Sequence, residues 1–63
     1  MQYPIVVELD GRSVVVVGGG RVAERKVTRL LEAGATVLIN APSLTTRLAE
    51  QAANGAVTWL RGA

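Results

Sequence analysis

The sequence predicts an α/β fold, half of a doubly wound parallel sheet in βαβαβ order, truncated after its third core strand. Three observations carry that expectation. A β-branched apolar run from Ser13 to Val17 ends at three consecutive glycines, Gly18 to Gly20. Apolar residues at helical spacing begin directly after them. The same alternation of strand pattern and helix pattern then recurs, which implies parallel strands joined by right-handed crossovers.

Composition bounds what such a chain can be. Its 63 residues make one small domain or part of one, since domains usually need about 100 or more. A chain this short buries roughly 60% of the surface its unfolded form exposes, so its core has to be dense. Hydrophobic residues form 49% of the chain, and Tyr3 and Trp59 are its only aromatics, so Val, Leu, Ile and Ala do nearly all the packing. Neither Cys nor His is present, which excludes disulfides, a thiolate nucleophile, an imidazole base and the usual zinc ligands.

Seven basic against five acidic residues leave a net charge of +2. The basic residues are scattered and have no interleaved aromatics for base stacking, which argues against nucleic acid as a partner. Met1 to Pro4 lack the basic start and long apolar core of a signal peptide, and the expected location is the cytoplasm. The longest uncharged stretch, Ala33 to Thr46, falls short of the about 18 residues that a membrane helix needs, so no membrane span is expected.

Taken in order, Ile5 to Leu9 is strand-like and precedes an Asp10-Gly11 turn signal, which predicts a short N-terminal strand or an extended arm. Ser13 to Val17 is apolar on both sides of the pleat, as in a strand covered on both faces. Ala23, Val27, Leu30, Leu31 and Gly34 then mark the inner stripe of an amphipathic helix, and Gly34 stands where a left-handed C-cap belongs. Thr36 to Ile39 is a second buried strand. Asn40 to Ser43 reads as a loop in which Ser43 caps a helix from Leu44 to Ala53. Leu44, Leu48, Ala49 and Ala52 would form the inner face of that helix, Asn54-Gly55 its end, and Val57 to Leu60 the third strand.

The sequence Gly18-Gly19-Gly20-Arg21-Val22-Ala23 fits G-x-G-x-x-A between a buried strand and a helix, the fingerprint of a Rossmann dinucleotide site. Gly18 would allow the tight turn, Gly20 would let a diphosphate approach the backbone, and Ala23 would permit close helix-strand packing. The anion would rest on the free amides at the helix start. A bare turn would be a costly use of three glycines, because each loses about 0.5 to 1 kcal/mol relative to alanine. The acidic residue that usually meets the adenosine ribose about 20 positions on is replaced by Asn40, whose amide can bond a hydroxyl and does not repel a 2′-phosphate. NAD and NADP therefore both remain open from the residues. Arg21 either meets a phosphate or is solvated. Arg25, Lys26 and Arg29 lie off the apolar stripe and read as a solvated face or as contacts for an acidic partner. No residue pattern suggests a catalytic group or a metal site.

Beyond these local readings, Tyr3-Pro4-Ile5, the stretch VVVVGGGRVAERKV from Val14 to Val27, Leu30 to Ala35 as LLEAGA, and Asn40-Ala41-Pro42 together resemble the N-terminal part of the siroheme synthase family. That part is the precorrin-2 dehydrogenase and sirohydrochlorin ferrochelatase module. The resemblance spans nearly the whole chain and makes residues 1–63 the N-terminal part of a Rossmann domain. It implies NAD-dependent oxidation of precorrin-2 to sirohydrochlorin, followed by ferrous iron insertion, in a homodimer acting on a tetrapyrrole. Carried onto this sequence, the family's cofactor contacts fall on Gly18, Gly20, Arg21, Val22, Pro42 and Ser43, and position adds Asn40. The family's important aspartate would lie beyond Ala63, so the chain alone is expected to bind NAD weakly and to turn over nothing. A rival reading from another class is a regulatory dinucleotide-sensing module that shares the half fold and performs no reaction.

Overall fold

The computed structural model describes residues 5–61. Tyr3 and Pro4, part of the sequence resemblance, lie outside the described residues. The elements run β1 (Ile5–Glu8), β2 (Ser13–Val17), α1 (Arg21–Glu32), β3 (Thr36–Ala41), α2 (Thr46–Ala53) and β4 (Thr58–Arg61). The strands form one sheet in the order β1-β2-β3-β4. β2, β3 and β4 are parallel, as expected of a Rossmann-like half, and β1 pairs antiparallel with β2 in the register Ile5 with Val17 through Glu8 with Val14. Of the two N-terminal alternatives, the strand is therefore the one observed.

The turn between β1 and β2 is built by one side chain. Asp10 accepts hydrogen bonds from the Arg12 and Ser13 amides at 3.0 and 2.6 Å, and Gly11 has a φ of +82°. The Ser13 amide, followed by that of Arg12, holds the exposed Asp10 carboxyl below its ordinary range, because both bonds favour the charged form.

One face of the sheet makes the core. Val14, Val16, Val37, Ile39 and Ala41 project to the same side by strand alternation, and they are buried with Ala23, Val27, Leu48 and Val57. Both helices therefore pack on that face, as a run of right-handed crossovers in one direction requires. The opposite face carries Val15, Val17, Leu38 and Asn40, none of them fully buried, and Val17 and Leu60 stay 41% and 42% exposed. The two-sided cover expected for β2 is thus absent among the described residues, and its apolar outer face is open.

Several boundaries differ from the sequence reading, each for a local reason. β3 continues through Asn40 and Ala41, because these pair with Leu60 and Arg61 of β4. Thr45, rather than Ser43, caps α2: its hydroxyl accepts from the Leu48 amide at 3.2 Å, which moves the helix start to Thr46. Ala49 is exposed, so the inner face of α2 is Leu48 with the half-buried Leu44 and Ala52. Val57 is buried just ahead of β4 rather than within it.

At the end of α1 the expectation holds. Gly34 takes φ +84°, the Gly34 amide donates to Leu31 and the Ala35 amide to Leu30, each at 3.0 Å, a Schellman arrangement that satisfies the last free carbonyls. Loss of the other cap should be measurable. Thr45→Ala should lower stability by about 1 kcal/mol, read as a fall in melting temperature with the α2 amides fraying first. An unchanged melting temperature would mean that Thr45 contributes no cap. Among the described residues, no helix is long and apolar enough to cross a membrane.

Candidate functional site

Gly18, Gly19 and Gly20 carry the chain from the C-terminal end of β2 into α1. Gly18 has φ +128°, a backbone conformation that favours glycine, and its amide donates to the Asn40 carbonyl at 3.0 Å. Gly19 lies directly against the connection between β3 and α2. A Cβ there would overlap the Ser43 carbonyl oxygen and come within 3.1 Å of the Ala41 Cβ. The Gly19 carbonyl accepts from the Thr45 amide at 3.1 Å. Two backbone hydrogen bonds and one close approach thus lock the glycine turn to residues 40–45.

Gly20 differs from its neighbours. Its φ of −89° and ψ of −167° are extended values that any residue adopts, and a Cβ there would meet nothing within 4 Å. The fold places no demand on this glycine. Gly20 is nevertheless the N-cap residue of α1 and supplies no side-chain hydrogen bond. The first helical bond runs from the Glu24 amide to the Gly20 carbonyl at 3.0 Å, which leaves the Arg21, Val22 and Ala23 amides without intrahelical acceptors. These donors stand at the positive end of the helix dipole, an arrangement that suits an anion.

The residues singled out from the sequence meet at one edge of the sheet. Gly18, Gly20, Arg21 and Val22 form the turn and helix start, and Asn40, Pro42 and Ser43 form the strand end and loop bonded to it. Pro42, Ser43 and Arg21 are exposed, whereas Asn40 and Val22 are half-buried. Asn40 projects from the sheet face opposite the helices, one position before the buried Ala41. Arg25, Lys26 and Arg29 are exposed on the outer side of α1.

Sequence reasoning missed three residues that hold this edge. Gly19 occupies a variable position of the fingerprint, yet the closeness of Ser43 demands it; a third glycine where two suffice was the available signal. Thr45 offered a second hydroxyl two residues after Ser43. Trp59 gave no local signal: its indole N–H donates to the Ala41 carbonyl at 2.9 Å across 18 residues, and the Arg61 guanidinium lies 5.1 Å from its ring centroid. That bond fixes the end of β3 from the side opposite the glycine turn in the sheet order.

With this geometry in place, comparison with known proteins becomes informative. Residues 5–63 match the profile of the family described as "Putative NAD(P)-binding". The chain belongs to this family. Its NAD(P)-binding relatives include "Siroheme synthase 3" of Aeromonas hydrophila subsp. hydrophila, 54% identical over 63 residues, covering 98% of this chain and 14% of that protein. The siroheme synthase of Xylella fastidiosa (strain M12) is 52% identical over 60 residues, covering 95% of this chain and 13% of that protein. Among solved structures, the precorrin-2 dehydrogenase SirC superposes with a TM-score of 0.74 at 37% identity, over 95% of this chain and 30% of that one. The chain therefore spans about one seventh of the length of these two siroheme synthases and less than a third of SirC.

Proposed function

We propose that residues 1–63 are the N-terminal, dinucleotide-binding part of a Rossmann domain in an enzyme that oxidises precorrin-2 to sirohydrochlorin with NAD. The same module would then serve ferrous iron insertion during siroheme formation. Membership of an NAD(P)-binding family, the names of the relatives and the fold shared with SirC support this reading. Like the family that the sequence resembles, the enzyme would be a cytoplasmic homodimer acting on a tetrapyrrole.

The observation that carries the proposal is Gly20. A glycine that the fold does not need stands in front of three free amides, and a Cβ there would fill only the space in front of them. The donor set fits a dinucleotide diphosphate. Gly18, Gly20, Arg21 and Val22 would hold that group, with Asn40, Pro42 and Ser43 beside the adenosine. When bound, the nicotinamide supplies the hydride acceptor. This chain's own residues bind and orient the dinucleotide, and the substrate's contacts and the catalytic group are assigned to other parts of the enzyme.

Gly20→Ala provides the test. Amide shifts on adding NAD should cluster at residues 18–22 and 40–43 in the parent chain. The variant should keep the dispersed spectrum of the parent yet bind about tenfold more weakly, a difference of about 1.4 kcal/mol. Equal NAD affinity in parent and variant would remove the main support for a diphosphate at this turn.

A further inference from the structure

Beside the glycine turn, the N-terminal turns of α1 and α2 enclose an open cleft of about 710 Å³. Three guanidinium groups line it, those of Arg21, Arg25 and Arg47, together with the Thr46 hydroxyl and the carboxylates of Glu24 and Glu50. Arg21 belongs to both the turn and the cleft. Thr45, also in the lining, is bonded to the turn through its amide and the Gly19 carbonyl. The cleft therefore continues from the place where the dinucleotide reading puts its diphosphate and adenosine.

Three arginines against two carboxylates leave this surface with a net positive charge. A dinucleotide lacking further phosphate would give Arg25 and Arg47 no partner. At the neighbouring strand end stands Asn40 in place of the carboxylate that would repel an anion on the ribose. A guanidinium offers paired donors that match a phosphate in geometry and charge, and a threonine hydroxyl adds another donor.

Resting on the proposed dinucleotide site, we infer that this cleft is a phosphate subsite, so that the chain accepts the 2′-phosphorylated dinucleotide NADP at least as tightly as NAD. Arg47 and Arg25 are its specificity-determining residues. Neither belongs to the glycine turn, so neutralising them leaves the contacts to the shared part of the two cofactors in place.

The experiment compares NAD and NADP titrations of the chain and of Arg47→Gln and Arg25→Gln, followed by amide shifts and by the fluorescence of Trp59. The expected result is NADP affinity equal to or above that of NAD in the parent. In Arg47→Gln, NADP affinity should fall about tenfold, as for loss of one charge-assisted contact, with NAD affinity unchanged. An NADP affinity about tenfold below that of NAD in the parent would overturn the inference and leave the dinucleotide site standing. Equal losses of both cofactors in the variants, or no loss of either, would also overturn it, because the arginines would then not read the extra phosphate. Failure of both dinucleotides to bind the folded chain would remove the dinucleotide site and this inference together.

Discussion

Gly19→Ala is expected to be the most damaging substitution in the glycine turn, although Gly19 occupies the fingerprint's variable position. Its new Cβ would overlap the Ser43 carbonyl oxygen, with the Ala41 Cβ only 3.1 Å away on the buried face. Relief by side-chain rotation is impossible, because the obstructing atom is backbone. Either the turn or the β3–α2 connection has to move, which breaks the bond from the Thr45 amide to the Gly19 carbonyl and displaces the cap of α2. Overpacking usually costs about 1 to 3 kcal/mol, and a backbone obstacle puts this case at the upper end. For a domain of this length the whole stability is about 3 to 9 kcal/mol at the usual value per residue. A loss of about 3 kcal/mol corresponds to roughly 12 to 24 °C in melting temperature. Thermal unfolding by circular dichroism would check this, alongside Gly20→Ala as the control that meets open space. A melting temperature for Gly19→Ala within about 2 °C of the parent would show that the connection yields freely.

The contrast between these neighbouring glycines also marks how far the sequence could be read. Period and glycine placement gave β2, α1 and most of β3, because each depends on residues close in the chain. The meeting of Gly19 with Ser43, 24 positions later, depends on how two connections pack, and no local pattern reports it. β3 extends to Ala41 for a similar reason: Asn40 and Ala41 look like loop residues until Leu60 and Arg61 supply their ladder partners. The open outer face escaped notice because the Val14 to Val17 run is equally apolar on both sides, and only the direction of two successive crossovers decides which side the helices cover. The binding edge was more legible than its supports. Gly18, Gly20 and Asn40 announce themselves by type and spacing, whereas Thr45 and Trp59 act through bonds that have to be seen.

Leu48→Ala should bring the chain close to unfolding, for reasons that begin with the shortness of α2. Its eight residues are too few to persist as an isolated helix in water, so packing has to hold them. Leu48 is the fully buried residue of α2, at 0% exposure, and packs in the same cluster as Val16, Val27, Val37 and Ile39. Truncation to alanine removes about 2 to 5 kcal/mol when transfer and cavity effects combine, comparable with the entire stability of a domain this size. The damage should spread in a definite order. Once α2 loosens, the chain between β3 and β4 is no longer held against the sheet. β4 pairs only with β3 among the described strands, and the bond from the Trp59 indole to the Ala41 carbonyl opens with it. Trp59 is the single tryptophan, so its emission should move toward that of solvent-exposed indole at temperatures where the parent remains folded. Ala49→Ser, one position along on the exposed side of α2, should change stability by less than about 0.5 kcal/mol. A melting temperature for Leu48→Ala within about 5 °C of the parent would mean that the half-buried Leu44 and Ala52 anchor α2 without it. The core would then be held by the contact of α1 with β2 and β3, and α2 would be a cover rather than a support of the binding edge.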